Sequence, residues 1–325
     1  MCTGLSFTTG DHYFGRNLDL EFSYHETVTV TPRRFRFAFR AAESLETHYA
    51  IIGIATVSDG YPLYYDATNE KGLSVAGLNF PGNAVYHPRD DEKTNITPFE
   101  LIPWLLGQFD TVDQVKQALE GLNVLNESFS DEFPLSPLHW IIADANSAIT
   151  VESVAEGLRV YDNPFGVLTN NPTFDIQSFR LNDFMALTNR EPGNTFAPGL
   201  ALDRYSRGMG GIGLPGDLSS SSRFVKAVFT RMNSVSGSSE SESLSQFFHI
   251  LGSVAQQRGC VRVAEDEKYE ITIYSSCCNT RTGVYFYTTY ENSQITGVDM
   301  HREDLDASEL ISFPLVEGQQ IRMQN

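Results

Sequence analysis

Short runs of alternating apolar and polar residues dominate the chain and predict a protein built mainly from strands. The first two, at 2–8 and 12–17, are separated by Thr9-Gly10-Asp11, and Gly10 supplies the backbone freedom that a tight hairpin turn requires. Further strands are predicted at 27–31, 49–57, 62–65, 73–80, 139–143, 149–153, 158–161, 166–170, 269–278 and 284–290. Short polar turns join most of them, which indicates antiparallel pairing.

Four segments show helical spacing instead. Thr97-Pro98-Phe99-Glu100 has the form of a capping box with proline at the first helical position, and Thr111 begins a second helix in the same way. The second helix is expected to present Val112, Val115, Leu119 and Leu122 on one face. Two more helices are predicted at 222–232 and 244–257, the last followed by Gly259 as a C-terminal cap.

The order of elements is strands, a helix pair, strands, a helix pair and strands. Two antiparallel sheets stacked face to face, with helices on both outer faces, accommodate this order as an α+β, four-layer αββα sandwich. A length of 325 residues would by itself favour two domains. The polar stretches 189–216 and 234–243 are better explained as loops than as linkers, so we expect a single domain over 1–325.

Charge and hydropathy narrow the classes of function. With 41 acidic and 23 basic side chains, the formal net charge is −18, which argues against a nucleic-acid partner. The longest apolar run, around 49–57, is too short to span a membrane, and no secretory signal precedes the first strand. We therefore expect a cytoplasmic protein without a membrane anchor.

Most familiar catalytic motifs are absent from the sequence. The stretch 208–213 satisfies GxGxxG literally, but Pro215 interrupts the helix that a dinucleotide site needs, and no clean strand precedes it. The seven histidines show no metal-ligand spacing, and there is no GxSxG or P-loop. Cys260, Cys277 and Cys278 are interpreted as packing residues.

Cys2 is the residue with distinctive chemistry. Removal of Met1 would place a thiol and a free α-amine on one residue, and the amine could accept the thiol proton near neutral pH. If Gly10 and Asp11 form a two-residue turn, Cys2 lies opposite Asp19 with Arg16 nearby, and a slip of one residue keeps them in one neighbourhood. The arginine would favour the thiolate, and the carboxylate would orient the ammonium. The residues alone leave an ordinary N-terminal strand equally open.

Several motifs in the correct order resemble the choloylglycine hydrolase family, specifically its bile salt hydrolases. The resemblance covers essentially the whole chain. The motifs are MCTG at the start, FGRNLD at 14–19, NEKGLSVAGLNFPG at 69–82, GVLTNNP at 166–172, GGIGLPGDLSSSSRF at 210–224 and YENSQITGVDM at 290–300.

The resemblance implies an N-terminal-nucleophile hydrolase with the αββα fold. Cys2 would be the nucleophile and its freed amine the base, with Arg16 and Asp19 organising the pair. Asn170 and Asn79 would stabilise the oxyanion and position the substrate, and Arg223 would belong to the same network. The implied reaction is hydrolysis of the amide between a bile acid and glycine or taurine through an acyl-thioester, without metal or organic cofactor. Transfer of the acyl group to another amine would be a side activity.

Substrate-binding residues are also implied by the resemblance. The expected apolar pocket contains Leu18, Tyr24, Tyr65, Phe129, Phe133 and Leu138. Ser206-Arg207-Gly208 is similar to a Ser-Arg-x pattern associated with taurine conjugates, because a guanidinium suits a sulfonate. A preference for taurine conjugates is therefore predicted.

Alternatives remain at this point. Penicillin V acylases share the fold and nucleophile, but relatives of that type tend to carry tyrosine where this chain has Asn79. A non-catalytic binder of amphipathic anions is a more distant alternative. Family members usually form homotetramers, and the segment 189–202 is the predicted contact loop.

Overall fold

The computed structural model describes residues 1–263 and 268–325. Its strands are β1 (Cys2–Thr8), β2 (His12–Leu20), β3 (Thr27–Thr31), β4 (Ile51–Ser58), β5 (Tyr61–Asn69), β6 (Ser74–Asn79), β7 (Thr94–Ile96), β8 (Leu122–Val124), β9 (Leu138–Ala143), β10 (Ala148–Val154), β11 (Gly157–Asp162), β12 (Val167–Leu168), β13 (Arg262–Val263), β14 (Lys268–Tyr269), β15 (Ile271–Asn279), β16 (Val284–Thr289), β17 (Asn292–Asp299) and β18 (Ile311–Pro314).

Two large antiparallel sheets contain most of these strands. The first, sheet I, has six strands in the order β12-β1-β2-β15-β16-β17, and the second, sheet II, has eight in the order β11-β10-β9-β6-β5-β4-β3-β18. The N-terminal hairpin β1-β2 thus lies inside sheet I, paired with β12 on one side and β15 on the other. This arrangement fixes the N-terminal segment between neighbours on both sides.

The helices lie on the outer faces of the two sheets. They are α1 (Leu101–Gln108), α2 (Val112–Glu120), α3 (Phe174–Arg180), α4 (Ser220–Asn233) and α5 (Glu240–Gly252), with 3₁₀ turns at Leu181–Phe184, Met209–Gly211 and Met300–Arg302. Helices α1 and α2 contact sheet II, whereas α4 and α5 contact sheet I. The predicted four-layer αββα architecture is confirmed. Within the described ranges, no helix has both the length and the apolar character needed to cross a membrane.

Two apolar cores correspond to these layers. One joins the facing sides of both sheets to α4 and α5, with Leu5, Ile52 and Phe224 among its fully buried side chains. The other lies between sheet II and helices α1 and α2, and contains Leu105 and Trp140. Because the first core spans both sheets, the hairpin that carries Cys2 is held from its inner and its outer side.

Some predicted helix boundaries are wrong. The first helix begins at Leu101, three residues after Pro98, although half of the predicted capping box forms because the Thr97 N–H donates to Glu100 Oε2 (3.2 Å). Leu122 lies in β8 and not on the second helix. The last helix begins at Glu240 and ends at Gly252, since the complete capping box is Ser239 with Glu242, upstream of the predicted start.

The predicted hairpin register is wrong by one residue. Thr8 pairs with His12 and Cys2 pairs with Leu18, so the turn contains three residues, Thr9 to Asp11. The Thr9 N–H donates to the Asp11 carbonyl (2.9 Å), which closes this longer turn. Since side chains alternate along a strand, Cys2 and Arg16 share one face of sheet I, whereas Asp19 lies on the other.

The burial of His12 can be tested through the pH dependence of the protein's stability. The imidazole is buried between Ser6 Oγ and Thr280 Oγ1, each 3.0 Å from a ring nitrogen. Burial, partly offset by Asp144, lowers the pKa of His12 to about 4. Between its ordinary pKa of ~6.5 and 4, the unfolded chain binds a proton that the folded protein does not, so stability falls as pH falls.

We expect His12→Gln to remove this part of the acid sensitivity. Between pH 7 and pH 4.5, the free energy of unfolding of the unmodified protein should fall by about 2–3 kcal/mol more than that of the variant. Urea denaturation of both proteins at the two pH values measures the difference. Equal pH dependence in the two proteins would show that the His12 imidazole binds its proton in the folded protein as readily as in the unfolded chain.

Candidate active site

A cleft with a volume of about 290 Å³ is lined by interior strands of both sheets. Cys2 and Arg16 reach it from sheet I, and Gly77 and Asn79 from sheet II. Its walls are largely apolar, with the loop 127–136 on one side. All six side chains predicted for the apolar pocket line it: Leu18, Tyr24, Tyr65, Phe129, Phe133 and Leu138.

Cys2 is 2% exposed and is fixed through its backbone. Its N–H donates to Asn170 Oδ1 (2.8 Å), and its carbonyl accepts from Arg223 Nη1 (2.5 Å). Asn170 and Arg223 are 168 and 221 residues away in sequence. The nitrogen that would become the free amine is therefore already bound to a predicted site residue.

Arg16 supplies a buried positive charge beside Cys2. Its Nη1 donates to the Tyr65 carbonyl (3.0 Å) and to the Gly77 carbonyl, both on sheet II. Its Nη2 is buried and has no hydrogen-bond partner in the described parts of the chain. Burial acts to lower the pKa of Arg16, but Cys2, together with nearby tyrosine and aspartate side chains, raises it above its ordinary value. The guanidinium therefore stays charged at this position beside the cysteine.

Asp19 lies on the opposite face of the hairpin. Its Oδ1 accepts from Thr272 Oγ1 (2.6 Å), and its Oδ2 lies 3.9 Å from Arg223 Nη1. Burial raises the pKa of Asp19, and Arg223 and the N-terminal amine are the main groups that oppose this shift. The Met1 amine donates to the Asp19 carbonyl (2.9 Å) and forms an ion pair with Glu270. The carboxylates at this end of the hairpin thus attract a cationic amine.

Asn170 connects the remaining predicted residues. Besides the Cys2 N–H, its Oδ1 accepts from Arg223 Nη2 (2.7 Å), and its Nδ2 donates to the Asn79 carbonyl (2.7 Å). Burial lowers the pKa of Arg223, and Asp19 and Cys2 oppose this effect. An amide nitrogen has two N–H groups, so Asn170 retains one donor for a further acceptor. Contacts therefore link Cys2, Asn170, Arg223, Asp19 and the backbone of Asn79, and Arg16 lies beside Cys2 at the cleft without a hydrogen bond to any of them in the described parts of the chain.

Ser206 and Arg207 are not brought to the cleft. Both are exposed, and neither lines the cleft in the described parts of this chain. They precede the 3₁₀ turn at Met209–Gly211, in a stretch whose side chains are mostly exposed. A contact between Arg207 and a substrate in this cleft requires movement of the loop or a second copy of the chain.

Sequence reasoning missed the residues that hold the predicted ones in place. The Gln177 side chain donates to the Asn170 carbonyl (2.8 Å), and Ser220 Oγ accepts from the Asn170 N–H (2.8 Å). Thr272 and Glu270 support the other end of the hairpin. No local pattern distinguishes these side chains, because their neighbours are distant in sequence. Within the described residues, no three His, Cys, Asp or Glu side chains are arranged to hold a metal ion.

Comparison with known proteins gives consistent matches. Residues 2–313 match the family model for linear amide C–N hydrolases, choloylglycine hydrolase family. The chain is 60% identical over 315 residues to a bile salt hydrolase/transferase of Lactiplantibacillus plantarum, covering 97% of each chain. A variant of conjugated bile acid hydrolase from Clostridium perfringens superposes with a TM-score of 0.92 at 38% identity, covering 100% of both chains.

A penicillin V acylase from Agrobacterium tumefaciens is similar in fold. Its TM-score is 0.74 at 19% identity, and the match covers 96% of this chain and 90% of the acylase. At that identity the likeness concerns the fold alone.

Proposed function

The chain belongs to the choloylglycine hydrolase family of linear amide C–N hydrolases, and from this membership we propose that it hydrolyses glycine- and taurine-conjugated bile salts. The observation that carries the proposal is the position of Cys2 at an apolar cleft. The chain that places it there is 60% identical to a bile salt hydrolase/transferase over 97% of its length. The products are the free bile acid and the amino acid. The cleft walls suit a steroid, and Arg16 and Asn79 provide polar groups near the scissile amide.

The proposed reaction begins after removal of Met1. The free amine of Cys2 accepts the thiol proton, and the sulfur attacks the amide carbon of the substrate. The carbonyl oxygen becomes an oxyanion, which the Asn170 amide stabilises by donating an N–H, with Asn79 positioning the substrate. The ammonium then protonates the leaving nitrogen, and glycine or taurine departs. Water, deprotonated by the same amine, attacks the thioester and releases the bile acid.

Product analysis tests the proposed function directly. The mature enzyme is incubated with matched pairs such as glycocholate and taurocholate, and free cholate and amino acid are measured by mass spectrometry. We expect both conjugates to be hydrolysed, with one molecule of glycine or taurine released for each molecule of cholate. Binding without release would support a non-catalytic binder of amphipathic anions.

Retention of Met1 should abolish activity, because the Cys2 nitrogen is then an amide without basic character. Protein made while methionine aminopeptidase is inhibited is expected to hydrolyse conjugates at least about 100-fold more slowly, the contribution of a general base. Intact mass gives the fraction that retains Met1, and later aminopeptidase treatment should restore the rate. Full activity of the Met1-containing form would contradict the proposed base.

Penicillin V hydrolysis is the second candidate. The acylase shares the fold, which does not decide the substrate, whereas Asn79, at a position where relatives of that type tend to carry tyrosine, favours bile salts. Rates on taurocholate and penicillin V, measured side by side, decide between them. We expect the bile salt to be the better substrate.

Transfer of the acyl group is proposed as a side activity. A free amino acid that enters the cleft can attack the Cys2 thioester in place of water and form a new amide. A relative carries both hydrolase and transferase in its name, which supports this proposal. Incubation of enzyme with cholate and an amino acid, followed by mass spectrometry, should show the conjugate.

A preference for taurine conjugates is proposed to depend on Arg207. Since Arg207 does not line the cleft of its own chain, the guanidinium must reach the sulfonate by loop movement or from a second copy. Arg207→Ala is expected to lower the taurine-to-glycine ratio of kcat/KM several-fold, with Arg204→Ala as an exposed control in the same loop. An unchanged ratio in Arg207→Ala would exclude this role.

Assembly as a homotetramer is also proposed, with the segment 189–202 at the contact. Large apolar side chains are exposed along this part of the chain, which supports burial against other copies. Within the segment they are Phe196 (80% exposed), Leu200 (46%) and Leu202 (51%), and Met185 (81%) and Tyr205 (83%) lie just outside it. Sedimentation analysis measures the assembly state.

A further inference from the structure

His139 contacts the two segments that carry Asn79 and Asn170. Its ring stacks on Phe80, the residue after Asn79, with centroids 4.1 Å apart and planes inclined by 8°. Its Nε2 lies 2.9 Å from the carbonyl oxygen of Thr169, the residue before Asn170. Because a carbonyl only accepts, Nε2 must carry a hydrogen. One fully buried imidazole thus touches both amide-bearing segments without lining the cleft.

Glu152 fixes the orientation of this imidazole. It lies directly opposite His139 in the pairing of β9 with β10, and its Oε1 is 3.1 Å from Nδ1. The same oxygen accepts the backbone N–H of Phe174 (3.0 Å). A proton shared between Nδ1 and Oε1 leaves the hydrogen on Nε2 whichever atom holds it. The carboxyl group therefore selects the ring state that donates to Thr169.

Packing alone does not account for this pair. Both side chains are completely buried, and Glu152 Oε2 has no hydrogen-bond partner among the described residues. Burial of such a pair is costly, and two apolar side chains in its place are often neutral or stabilising. Ile141, two positions from His139 on the same face of β9, and Val151, next to Glu152 on β10, are fully buried apolar residues. A polar pair at this place is better explained by the orientation that its hydrogen bonds impose.

We infer that His139 and Glu152 are positioning residues for amide hydrolysis. They hold the Thr169 carbonyl, so that the Asn170 amide keeps the geometry that stabilises the oxyanion, and they pack on the Phe80 ring beside Asn79, the amide that positions the substrate. The inference rests on the proposed function, because it assigns those amides to the reaction. The oxyanion exists only after attack, so loss of this geometry lowers kcat and leaves KM nearly unchanged.

The double variant His139→Leu with Glu152→Leu separates positioning from stability. Two apolar side chains fill the space without an unpaired buried charge, so the protein should remain folded with a melting temperature near that of the unmodified enzyme. We expect kcat to fall about tenfold or more, with KM changed by less than about twofold. Wild-type kcat in the folded double variant would overturn the inference.

Two conservative variants provide further tests. In Glu152→Gln an amide oxygen can accept from the Phe174 N–H, and an amide nitrogen can donate to His139 Nδ1, but no single atom at the Oε1 position can do both. One of the three hydrogen bonds is therefore lost, and we expect kcat to fall about threefold with unchanged KM. In His139→Gln the amide N–H can still donate to Thr169, and kcat should exceed that of His139→Leu. If glutamine is no better than leucine at 139, and Glu152→Gln has wild-type kcat, the positioning role is excluded even where the double variant does not fold.

His12→Gln is the matched control. His12 is also a buried histidine, but its nitrogens face two hydroxyl groups far from the cleft. Its substitution should alter stability and leave kcat and KM unchanged. A fall in kcat equal to that of the His139 variants would show that loss of any buried histidine has this effect.

A readout without substrate distinguishes this inference from the proposed function. Hydrogen exchange of the segment 166–172 should be faster in the double variant and in Glu152→Gln than in the unmodified protein. If the unmodified enzyme hydrolyses no conjugate while exchange increases, the proposed function fails and the structural link survives. Unchanged exchange in both variants overturns the inference, whatever the substrate.

Discussion

Replacement of Cys2 by alanine or serine is expected to lower hydrolysis of conjugated bile salts by at least about 10⁴-fold, as loss of a nucleophile does in other hydrolases. Alanine has no nucleophilic atom. Serine keeps a free amine and a hydroxyl, but the hydroxyl is far less acidic than a thiol, so the buried Arg16 charge cannot hold it ionised. Product release from taurocholate, measured by mass spectrometry, gives the rates.

The control for this experiment is Cys260→Ser. Cys260 is an exposed free thiol, so its interpretation as a packing residue is wrong, and its substitution should leave kcat and KM unchanged. Intact mass during turnover provides a second readout, because the proposed acyl-thioester adds the mass of the bile acyl group to the protein. That adduct should form with the Cys260→Ser enzyme and not with the Cys2→Ala variant. Hydrolysis by Cys2→Ala at a rate near that of the unmodified enzyme would refute the proposed nucleophile.

Asn170→Asp is expected to lower kcat by about 10²–10³-fold, the cost of losing one oxyanion donor. Aspartate keeps the Oδ1 acceptor for the Cys2 nitrogen and for Arg223, so the backbone of the nucleophile stays anchored. It replaces the Nδ2 donor by an oxygen, which faces the Asn79 carbonyl and repels a developing negative charge. The loss should therefore affect kcat more than KM.

Asn233→Asp is the control for charge and size. The Asn233 amide donates to the Phe229 carbonyl at the exposed end of α4, away from the cleft. The substitution introduces the same change and should leave both constants near their original values. Steady-state kinetics on taurocholate, with melting temperatures of both variants, separates catalysis from folding. An active Asn170→Asp enzyme would remove Asn170 from the oxyanion site.

The two tests concern the same step in different ways. Cys2 variants are expected to block formation of the proposed thioester, whereas Asn170→Asp should slow it and leave the nucleophile in place. A slow, detectable acyl adduct in Asn170→Asp, together with none in Cys2→Ala, would support the proposed order of events.

The layers of the fold could be predicted from residue pattern because that pattern is local. Alternating apolar positions define the strands, and capping residues such as Thr111 define helix starts, so the αββα order followed from the chain read in sequence. The boundaries were less certain. The helix predicted at Pro98 begins at Leu101. Of the two hydrogen bonds of the predicted capping box, only the one from the Thr97 N–H to the Glu100 carboxylate forms.

The register of the first hairpin is a second feature that the sequence could not predict. The turn residues Thr9, Gly10 and Asp11 are compatible with two or three loop positions, and the hydrogen bond from Thr9 to Asp11 decides for three. A shift of one residue exchanges the faces of a strand. The thiol and guanidinium thus face the cleft, and the Asp19 carboxylate lies behind them near the chain amine.

Sequence alone indicated the chemistry proposed for Cys2, since a thiol and an amine on one residue need no tertiary partner, and its ordered motifs indicated the family. The tertiary structure decided which residues lie around that thiol. Asn170, Arg223 and His139 lie more than 130 positions from Cys2, and sheet pairing and packing brought them to one site. Such contacts leave no local pattern, because they depend on how whole strands align in two stacked sheets. The same packing kept Arg207, which sequence had assigned to the substrate, out of its own cleft.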